Sequence, residues 1–420
     1  MALVAYVEGA STEQLESSLR FTVPRTSSAI VSSRAATVFS AGGDSYSPAN
    51  GVRAITFRIQ GSGGAAGGEF LDPSSLFFKA LYQNSSSSIL KFKGPAWCAF
   101  SRVTVRMSST VVEDQTSFNR LYSMLHALSP VDEKTNAVVS AGDNTSEIGA
   151  SPASTVYGFA MTPLALARCG VLIPLSLAPV EIVMELVSSA ALFADQDFIL
   201  KDCQMLCTIK TVDQEISSKI HSHTVGSGKS LPIVLPGTYF CTDQVSSADA
   251  TIHLSKSVSR ATALFVNYLD DTATEAIDFL RPSVTSTGTW ELLLNSRRYP
   301  DRALAWNDTP SFWNALKQCM GKESLDIDRE AYVGQTYATS VNANLKKKHF
   351  IIAIDLTKSP SDGVAGGEVS FTGEHMRTSL ATIQQKGCTL SGTAASQRIF
   401  MCLRYDAIVE VSAGGCDLLT

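Results

Sequence analysis

The middle of the chain constrains the fold most, because it joins the end of one β-rich unit to a polar linking segment. Two prolines interrupt the apolar run 171–187, which rules out a helix there, and its Val, Ile and Leu residues favour pleated structure. Residues 198–213 follow and are long enough for one extended strand. Residues 214–237 are then polar and rich in Ser and Gly, as expected for a connector between two domains.

Length and composition agree with a division into two β-domains. A chain of 420 residues suits two domains of about 200 residues each. Hydrophobic residues make up 45% and charged residues 17%, a balance that excludes a mainly disordered protein and favours β-sandwiches with many turns. The sequence therefore predicts an all-β protein with an N-terminal domain over residues 1–213, a connector over 214–237 and a C-terminal domain over 238–420.

Charge and targeting signals limit the possible partners. The net charge is −5, and three Glu residues precede the first basic residue, Arg20, so the sequence offers no basic arm for direct, strong nucleic-acid binding. We expect no signal peptide, and the absence of about 18 consecutive apolar residues predicts no transmembrane segment. The nine cysteines are scattered through apolar stretches, which favours buried free thiols made in a reducing environment.

The order of predicted elements repeats between the two halves. Helices are predicted from residue 115, with Asp114 or Thr116 as the cap, and from residue 310, with Thr309 as the cap and Gly321 at the end. Long closing strands begin at residues 198 and 397, so the helices are 195 residues apart and the strands 199 apart. About eight strands fit each half. We therefore predict two consecutive jelly-roll domains, each an eight-stranded β-sandwich or barrel, with short inserted helices.

Two glycine-containing segments have the composition of phosphate sites. GSGKS at residues 226–230 resembles a P-loop, but the pattern needs a glycine where this chain has His223, and it needs a helix where this chain continues LPIVLP. The glycine-rich segment 61–68 leads into a strand pattern rather than a helix. Neither segment is predicted to bind phosphate.

Candidate metal ligands do not form a complete set. His221 and His223 could point to one side of an extended segment, but no further ligand lies near them in the sequence. Cys203 and Cys207 lie on one face of a predicted strand about 13 Å apart, which is too far to share a metal ion. We predict that they are core thiols.

Charged pairs and runs also have structural explanations. Glu113 with Asp114, and Asp270 with Asp271, lie in contexts typical of turns or helix caps. The basic run in 345–350 leads into an apolar strand pattern, which favours a solvated strand entry over a nucleic-acid site. The sequence therefore predicts no enzyme, no catalytic, cofactor-binding or metal-binding residue, and no cofactor.

Several segments together resemble a known group of proteins. IPLSLAPVEIVMELV, DFILKDCQMLCTIKTVDQEISSKIHSHTVGSGKSLPI, SRATALFVNYL, HFIIAIDL with EVSFTGEHMRTSLATI, and RIFMCLRYDAIVEV occur in that order. Over most of residues 50–412 this succession resembles the double-jelly-roll major capsid proteins of Polinton-like viruses, adintoviruses and virophages.

The resemblance implies a structural role in a virion. It implies two jelly rolls side by side, perpendicular to the capsid surface, and three chains in a pseudo-hexameric capsomer. It also implies self-assembly into an icosahedral shell, contacts with penton or minor capsid proteins, and synthesis in the host cytoplasm. It implies no catalysis.

Two other functions remain open from the sequence. The first is a single-jelly-roll shell protein with a separate projecting β-domain, in which residues 214–237 would be a hinge. The second is a β-sandwich carbohydrate-binding protein or enzyme, although no cluster of aromatics with paired carboxylates is evident.

Overall fold

A computed structural model describes the following residues of the chain: 30–61, 68–129, 139–142, 146–270, 283–294, 297–320, 351–357, 374–376, 381–389 and 397–419. The strand predicted over 19–23 and the basic run in 345–350 lie outside these residues.

The described part of the first half contains two large antiparallel sheets, a separate two-stranded sheet and a helix. Its strands are β1 (Ile30–Phe39), β2 (Ser45–Tyr46), β3 (Ala54–Ile59), β4 (Glu69–Asn84), β5 (Leu90–Lys91), β6 (Phe100–Met107), β7 (Thr110–Gln115), β8 (Glu147–Ile148), β9 (Ser154–Ala160), β10 (Ile173–Pro174), β11 (Val180–Leu186) and β12 (Phe198–Val212). Helix α1 spans Phe118–Leu128. One sheet has the order β1-β12-β4-β10, with β2 beside β12 and β9 beside β4, and the other has the order β3-β11-β6-β7.

The second half has the same construction. Helix α2 (Gln214–His221) leads into it. Its strands are β13 (Leu231–Val245), β14 (Ala250–Leu254), β15 (Ala261–Asp270), β16 (Ser283–Leu294), β17 (Arg297–Ala305), β18 (Ile352–Asp355), β19 (Ala381–Thr389), β20 (Gln397–Ser412) and β21 (Gly415–Leu419). Helix α3 spans Thr309–Met320. The sheets have the orders β13-β20-β15-β18, with β21 beside β20, and β14-β19-β16-β17.

The two halves share one strand order. Setting aside β2, β5, β8, β9 and β21, we number the remaining strands of each half from first to eighth along the chain. One sheet then has the order 1-8-3-6 and the other 2-7-4-5, in both halves. In both halves a helix follows the fifth strand. The predicted repeat of architecture, with short inserted helices, is therefore confirmed.

Side-chain alternation explains why these segments form sheets. Along β11, buried and half-buried residues alternate from Val180 to Leu186, as expected for a strand with one face on the core. The strand lies between β3 and β6 in antiparallel register, with Ile182 opposite Phe57 and Val105. Its apolar face therefore completes the core between the two sheets.

Aromatic side chains fill the first core. Phe78 on β4 is fully buried, and its ring centroid lies 5.1 Å from Phe100, 5.3 Å from Phe159 and 6.0 Å from Phe57. These rings come from strands of both sheets and pack edge-on or tilted, which is the favourable geometry for aromatic pairs. Phe78 therefore holds the two layers of the first sandwich together.

The connector differs from its prediction at both ends. Residues 214–221 form helix α2, whose first turn is capped by the Asp213 carboxylate, which accepts a hydrogen bond from the Glu215 amide. From Leu231 onward the chain is already in β13, which pairs with β20 along its whole length. Strand β13 tolerates its two prolines because it lies at the edge of its sheet.

The predicted N-terminal caps were wrong, although both helices are present; Gly321, predicted to end the second helix, lies outside the described residues. Asp308 caps α3, because its carboxylate accepts hydrogen bonds from the Ser311 amide at 3.2 Å and the Ser311 hydroxyl at 2.6 Å. Ser117 occupies the cap position of α1 without a side-chain hydrogen bond. Asp114 belongs to strand β7 instead.

Candidate functional site

The candidate ligands identified from the sequence do not assemble into a site. His221 ends helix α2, and His223 lies in the π-helical turn that follows it. The described part of the chain contains no group of three or more His, Cys, Asp or Glu residues that could hold a metal ion. GSGKS leads into strand β13 rather than a helix, so its geometry differs from that of a P-loop.

The described cysteines are free thiols, most of them buried. Cys203 and Cys207 lie on β12 and point into the first core, as predicted. Burial raises the pKa of Cys203 and of Cys402 to about 12. Since the thiolate is the reactive form, both side chains stay protonated and unreactive at neutral pH.

The neighbours Glu113 and Asp114 lie on opposite faces of strand β7, not in a turn or a helix cap as predicted. Asp114 faces solvent and accepts two hydrogen bonds of 2.8 Å from the Arg102 guanidinium, which holds the pKa of this carboxyl below its usual range. Glu113 is buried. One residue therefore belongs to the surface, and the other belongs to the junction between the two domains.

Glu113 is part of a buried polar network at this junction. Its Oε2 atom accepts a 2.7 Å hydrogen bond from the Ala165 amide, and its Oε1 atom accepts one of 2.7 Å from Gln115 Nε2. Gln115 Nε2 also donates to the backbone oxygen of Thr238 on β13, at 2.6 Å. The network therefore links strand β7 of the first domain to the first strand of the second.

Arg168 supplies a second polar link between the domains. Its Nη2 atom donates hydrogen bonds to Thr238 Oγ1 at 2.7 Å and to the Pro236 oxygen at 2.9 Å. The residue retains some exposure, but its Nε atom is fully buried. Burial, together with the nearby Arg404 charge, lowers the pKa of Arg168 to about 10, so its side chain remains charged at neutral pH.

Burial also changes the acidity of Glu113. Removal from water raises the pKa of Glu113 to about 7, although its hydrogen bond from Gln115 and the Arg168 charge oppose the rise. A carboxyl group with this pKa changes charge near neutral pH. The junction therefore contains a group whose charge depends on pH in the physiological range.

Helix α1 lies between the two domains. Phe118 and Tyr122 pack in the first core, whereas Leu121, Met124 and Leu128 pack in the second. The apolar faces of the two helices predict that each packs on its own barrel, α1 through Phe118, Leu121 and Leu125. This is wrong for α1, because Leu121 packs in the second core. It is right for α3, whose Phe312 and Leu316 are buried in the second core with Trp313 packed against it.

Helix α1 covers the outer face of the β13-β20-β15-β18 sheet. Tyr268 on β15 points inward, because its hydroxyl reaches Gln385 in the opposite sheet at 3.1 Å. Phe400 on β20 directly follows the residue that pairs with Tyr268. Because neighbouring residues of a strand point to opposite faces, Phe400 points outward. The Arg120 guanidinium lies 5.3 Å from the centroid of the Phe400 ring, and Phe400 is only 4% exposed. The first domain thus buries this face of the second.

In the described part of the chain, the corresponding sheet face of the first domain is more exposed. Met205 on β12 and its partner Val38 on β1 pack toward the core, so the next pair, Gln204 and Phe39, points outward. Phe39 is 66% exposed. It is the one aromatic among the strongly exposed large hydrophobic side chains in the described part of the chain.

Sequence reasoning missed these residues. Arg168, Gln115 and Thr238 carry no motif, and their proximity depends on how the two domains pack. The sequence pattern of residues 29–39 predicts a strand that ends at Phe39, but alternation alone does not say which face of that strand a second domain covers.

No family model matches the sequence, and no curated protein matches it. Solved structures do match in fold. The major capsid protein of Faustovirus superposes with a TM-score of 0.58 at 8% identity, covering 94% of this chain and 93% of that chain. A chain from the cryo-EM structure of the Sputnik virophage gives a TM-score of 0.58 at 10% identity, covering 96% and 92%. The chain has the double-jelly-roll fold.

A third double-jelly-roll match extends over nearly the full length of both chains. A chain from the quasi-atomic model of the PBCV-1 virus capsid superposes with a TM-score of 0.56 at 12% identity, covering 95% of this chain and 98% of that chain. The fold class predicted from the sequence is therefore confirmed. Among the described residues, no helix is long and apolar enough to cross a membrane.

Proposed function

We propose that this double-jelly-roll chain is a structural major capsid protein that assembles with copies of itself into an icosahedral virus shell and is located in the virion. One observation carries the proposal. The chain contains two sandwiches of the same strand order, and a sheet face that is covered in the second is more exposed in the first. Repeating the same contact between chains would cover it. The likeness to capsid proteins supports this role.

We further propose a homotrimer. A head-to-tail contact closes into a ring when its rotation divides a full turn, and three chains of two domains would give a pseudo-hexameric capsomer. The proposed domains are residues 1–213 and a second that begins with strand β13 at Leu231 and runs to residue 420, with 214–230 between them. Neighbouring capsomers, and penton or minor capsid proteins, would be the partners, after synthesis in the reducing host cytoplasm.

The two alternatives are less well supported. A shell domain with a separate projection would need a hinge at 214–237, but Ile233 and Val409 of the second half pack in the first hydrophobic core. The matching strand order also gives no reason to assign the halves different roles. A carbohydrate-binding protein has no specific observation in its favour.

The proposal predicts the mass of the purified protein. A single chain has a mass of 44.9 kDa, so a trimer would be about 135 kDa. Mass photometry and light scattering at micromolar concentration should give this value, and electron microscopy should show particles with threefold or pseudo-sixfold outlines. A protein that stays monomeric at every concentration would contradict the proposed function.

We also expect weak nucleic-acid binding. The 34 Lys and Arg residues are outnumbered by 39 Asp and Glu, a net charge of −5, so the chain as a whole repels the phosphates whose counterions a strong binder must replace. The purified protein should show the ultraviolet spectrum of protein alone and should bind oligonucleotides weakly at about 0.15 M salt. Copurification with RNA or DNA that only high salt removes would instead favour the single-jelly-roll alternative.

A further inference from the structure

We propose that the hairpin formed by β20 and β21 is a strap that couples the two sandwiches, so that they unfold as one cooperative unit. We define the strap as residues 408–419, which are the end of β20 together with β21. The inference concerns contacts within a single chain, so it is independent of the self-assembly proposed above.

Strand β20 has different neighbours along its length. Residues 397–405 pair with β15 inside the sheet of the second domain. Residues 408–412 pair instead with β21. On the other side of β20, strand β13 pairs with it from residue 397 to residue 411. The sheet of the second domain therefore continues beyond β15 as a three-stranded extension of β13, β20 and β21.

The apolar face of this extension packs in the core of the first domain. Val409 and Val411 on β20 are fully buried. Ile233 on β13 is 3% exposed, and Cys416 on β21 is 5% exposed. All four side chains belong to the first hydrophobic core, and Leu418 packs against both cores. The second domain therefore supplies part of the interior of the first.

The packing between the domains is reciprocal. Helix α1 belongs to the first domain, yet its Leu121, Met124 and Leu128 lie in the second core. Each domain thus supplies apolar side chains to the core of the other. Domains of one chain move relative to each other unless they share a large apolar interface. Because separation would open both cores here, we infer that the two sandwiches do not separate while the strap is in place.

Polar contacts hold β21 against the turn between β6 and β7. The Thr110 hydroxyl donates a hydrogen bond to the backbone oxygen of Cys416, and the Cys416 thiol lies 3.8 Å from Ser108 Oγ. The Ser108 amide donates to the Pro179 oxygen at 2.8 Å, and its hydroxyl donates to the Leu177 oxygen at 3.1 Å. The strap is therefore bound to a turn that is itself fixed to the first domain.

Strand β21 is the part of this contact that opens most readily. It has five residues, and in the described part of the chain it pairs with β20 alone. Residues 413–414, which lead into it, are exposed. Short elements with few partners open at a lower free energy than the interior of a domain. We therefore expect release of β21 to be the first step in separating the sandwiches.

The first test locks the strap with a disulfide. Ser108→Cys places a thiol where the Ser108 hydroxyl lies 3.8 Å from Cys416 Sγ, and a small side-chain rotation would bring the sulfurs to the bond length of about 2 Å. Ser108 has a left-handed φ of 55°, but Ser and Cys both carry a Cβ atom, so the substitution adds no backbone strain.

Oxidised glutathione supplies the oxidant for this crosslink. It accepts the two electrons and two protons of the thiols and becomes two reduced glutathione molecules. The variant should lose about 2 Da within one chain, and peptide mapping should join residues 108 and 416. Ser109→Cys is the matched control, because Ser109 is the next residue of the turn and is exposed. It should not form this crosslink.

The crosslink should raise the unfolding temperature of both sandwiches together. Calorimetry of the wild type and of oxidised Ser108→Cys should show one transition each, at a higher temperature for the oxidised variant. Reduction with dithiothreitol should return that transition to the temperature of the reduced variant. Two transitions in the wild type, or a shift of only one sandwich on oxidation, would overturn the proposed coupling.

The second test releases the strap. Cys416→Asp places a carboxylate where the wild type packs in the first core, and an unpaired charge is unfavourable there, so β21 should leave that core. Calorimetry should then show two transitions instead of one. Hydrogen exchange followed by mass spectrometry should show protection lost first in β6 and β11 of the first domain. Asp417→Asn is the matched control, because Asp417 is exposed on the same strand, and it should keep one transition.

The outcomes are distinct from those that test the proposed function. If Ser108→Cys crosslinks no faster than Ser109→Cys, the strap does not lie on this turn and the inference is overturned. If Cys416→Asp unfolds in one transition at the wild-type temperature, the strap does not couple the domains. If Cys416→Asp does not fold, the effect of oxidation on Ser108→Cys decides alone. A wild-type chain that stays monomeric contradicts the proposed function and leaves the strap unaffected.

Discussion

Phe78→Ala should lower the free energy of unfolding by about 3 to 5 kcal/mol, the usual cost of removing a fully buried Phe from a core. Phe78 is inaccessible to solvent, and its ring contacts Phe57, Phe100 and Phe159 from both layers of the first sandwich. Truncation would leave a cavity between the sheets that the rigid strands cannot close. Chemical denaturation of the purified variant, followed by tryptophan fluorescence and circular dichroism, measures the loss.

Phe77→Ala is the matched control, because the same ring is removed from the next residue of the same strand. Phe77 points away from the core and is only half-buried, so its loss should cost about 1 kcal/mol. Equal destabilisation by the two substitutions would contradict the assignment of faces on β4.

The sequence predicted the elements of this fold well, because the strands alternate and the helices have start signals. Residues 198–213 were predicted as one strand, and the structure has β12 there. The two inserted helices and the repeated order were also predicted correctly. These features depend on local side-chain periodicity, which a sequence contains directly.

The caps and the connector were predicted less well, because several polar residues near each boundary can cap a helix. Thr309 was predicted as a cap, yet the neighbouring Asp308 accepts the hydrogen bonds. The polar composition of 214–221 suggested an irregular link, but polar residues also form short exposed helices. The packing of each segment in the folded chain, and not its local sequence, decided which residue caps α3 and that 214–221 is helical.

The junction could not be predicted, because it depends on contacts between residues far apart in the chain. Gln115 and Thr238 are 123 positions apart, and Arg168 lies in a short turn without a recognisable motif. Alternation does show that Glu113 and Asp114 point to opposite faces of a strand, once the strand is recognised. It does not show that another domain covers one of those faces.

The stability of the protein should fall by about 2 to 3 kcal/mol between pH 5 and pH 8 through Glu113 alone. Burial raises the pKa of Glu113 from 4.5 to about 7 in the folded chain, so the folded state holds a proton that the unfolded state has lost. A carboxyl with a raised folded pKa contributes stability that is complete below pH 4.5 and is lost as the pH rises through about 7. The junction should therefore be tightest in mild acid.

Glu113→Gln removes the titrating group, and Asp114→Asn is its matched control on the next residue of β7. The folded pKa of Asp114 is lowered by Arg102, so its contribution is lost only as the pH falls below about 4, outside this range. Asp406, whose pKa burial raises to about 6, changes stability in the same direction as Glu113 and is present in every variant. Urea denaturation at pH 5, 6, 7 and 8 should therefore give a smaller fall for Glu113→Gln and the wild-type fall for Asp114→Asn. If the stability of Glu113→Gln falls between pH 5 and pH 8 as much as that of the wild type, the Glu113 carboxyl of the wild type ionises freely. The contact between the domains would then not exclude water from it.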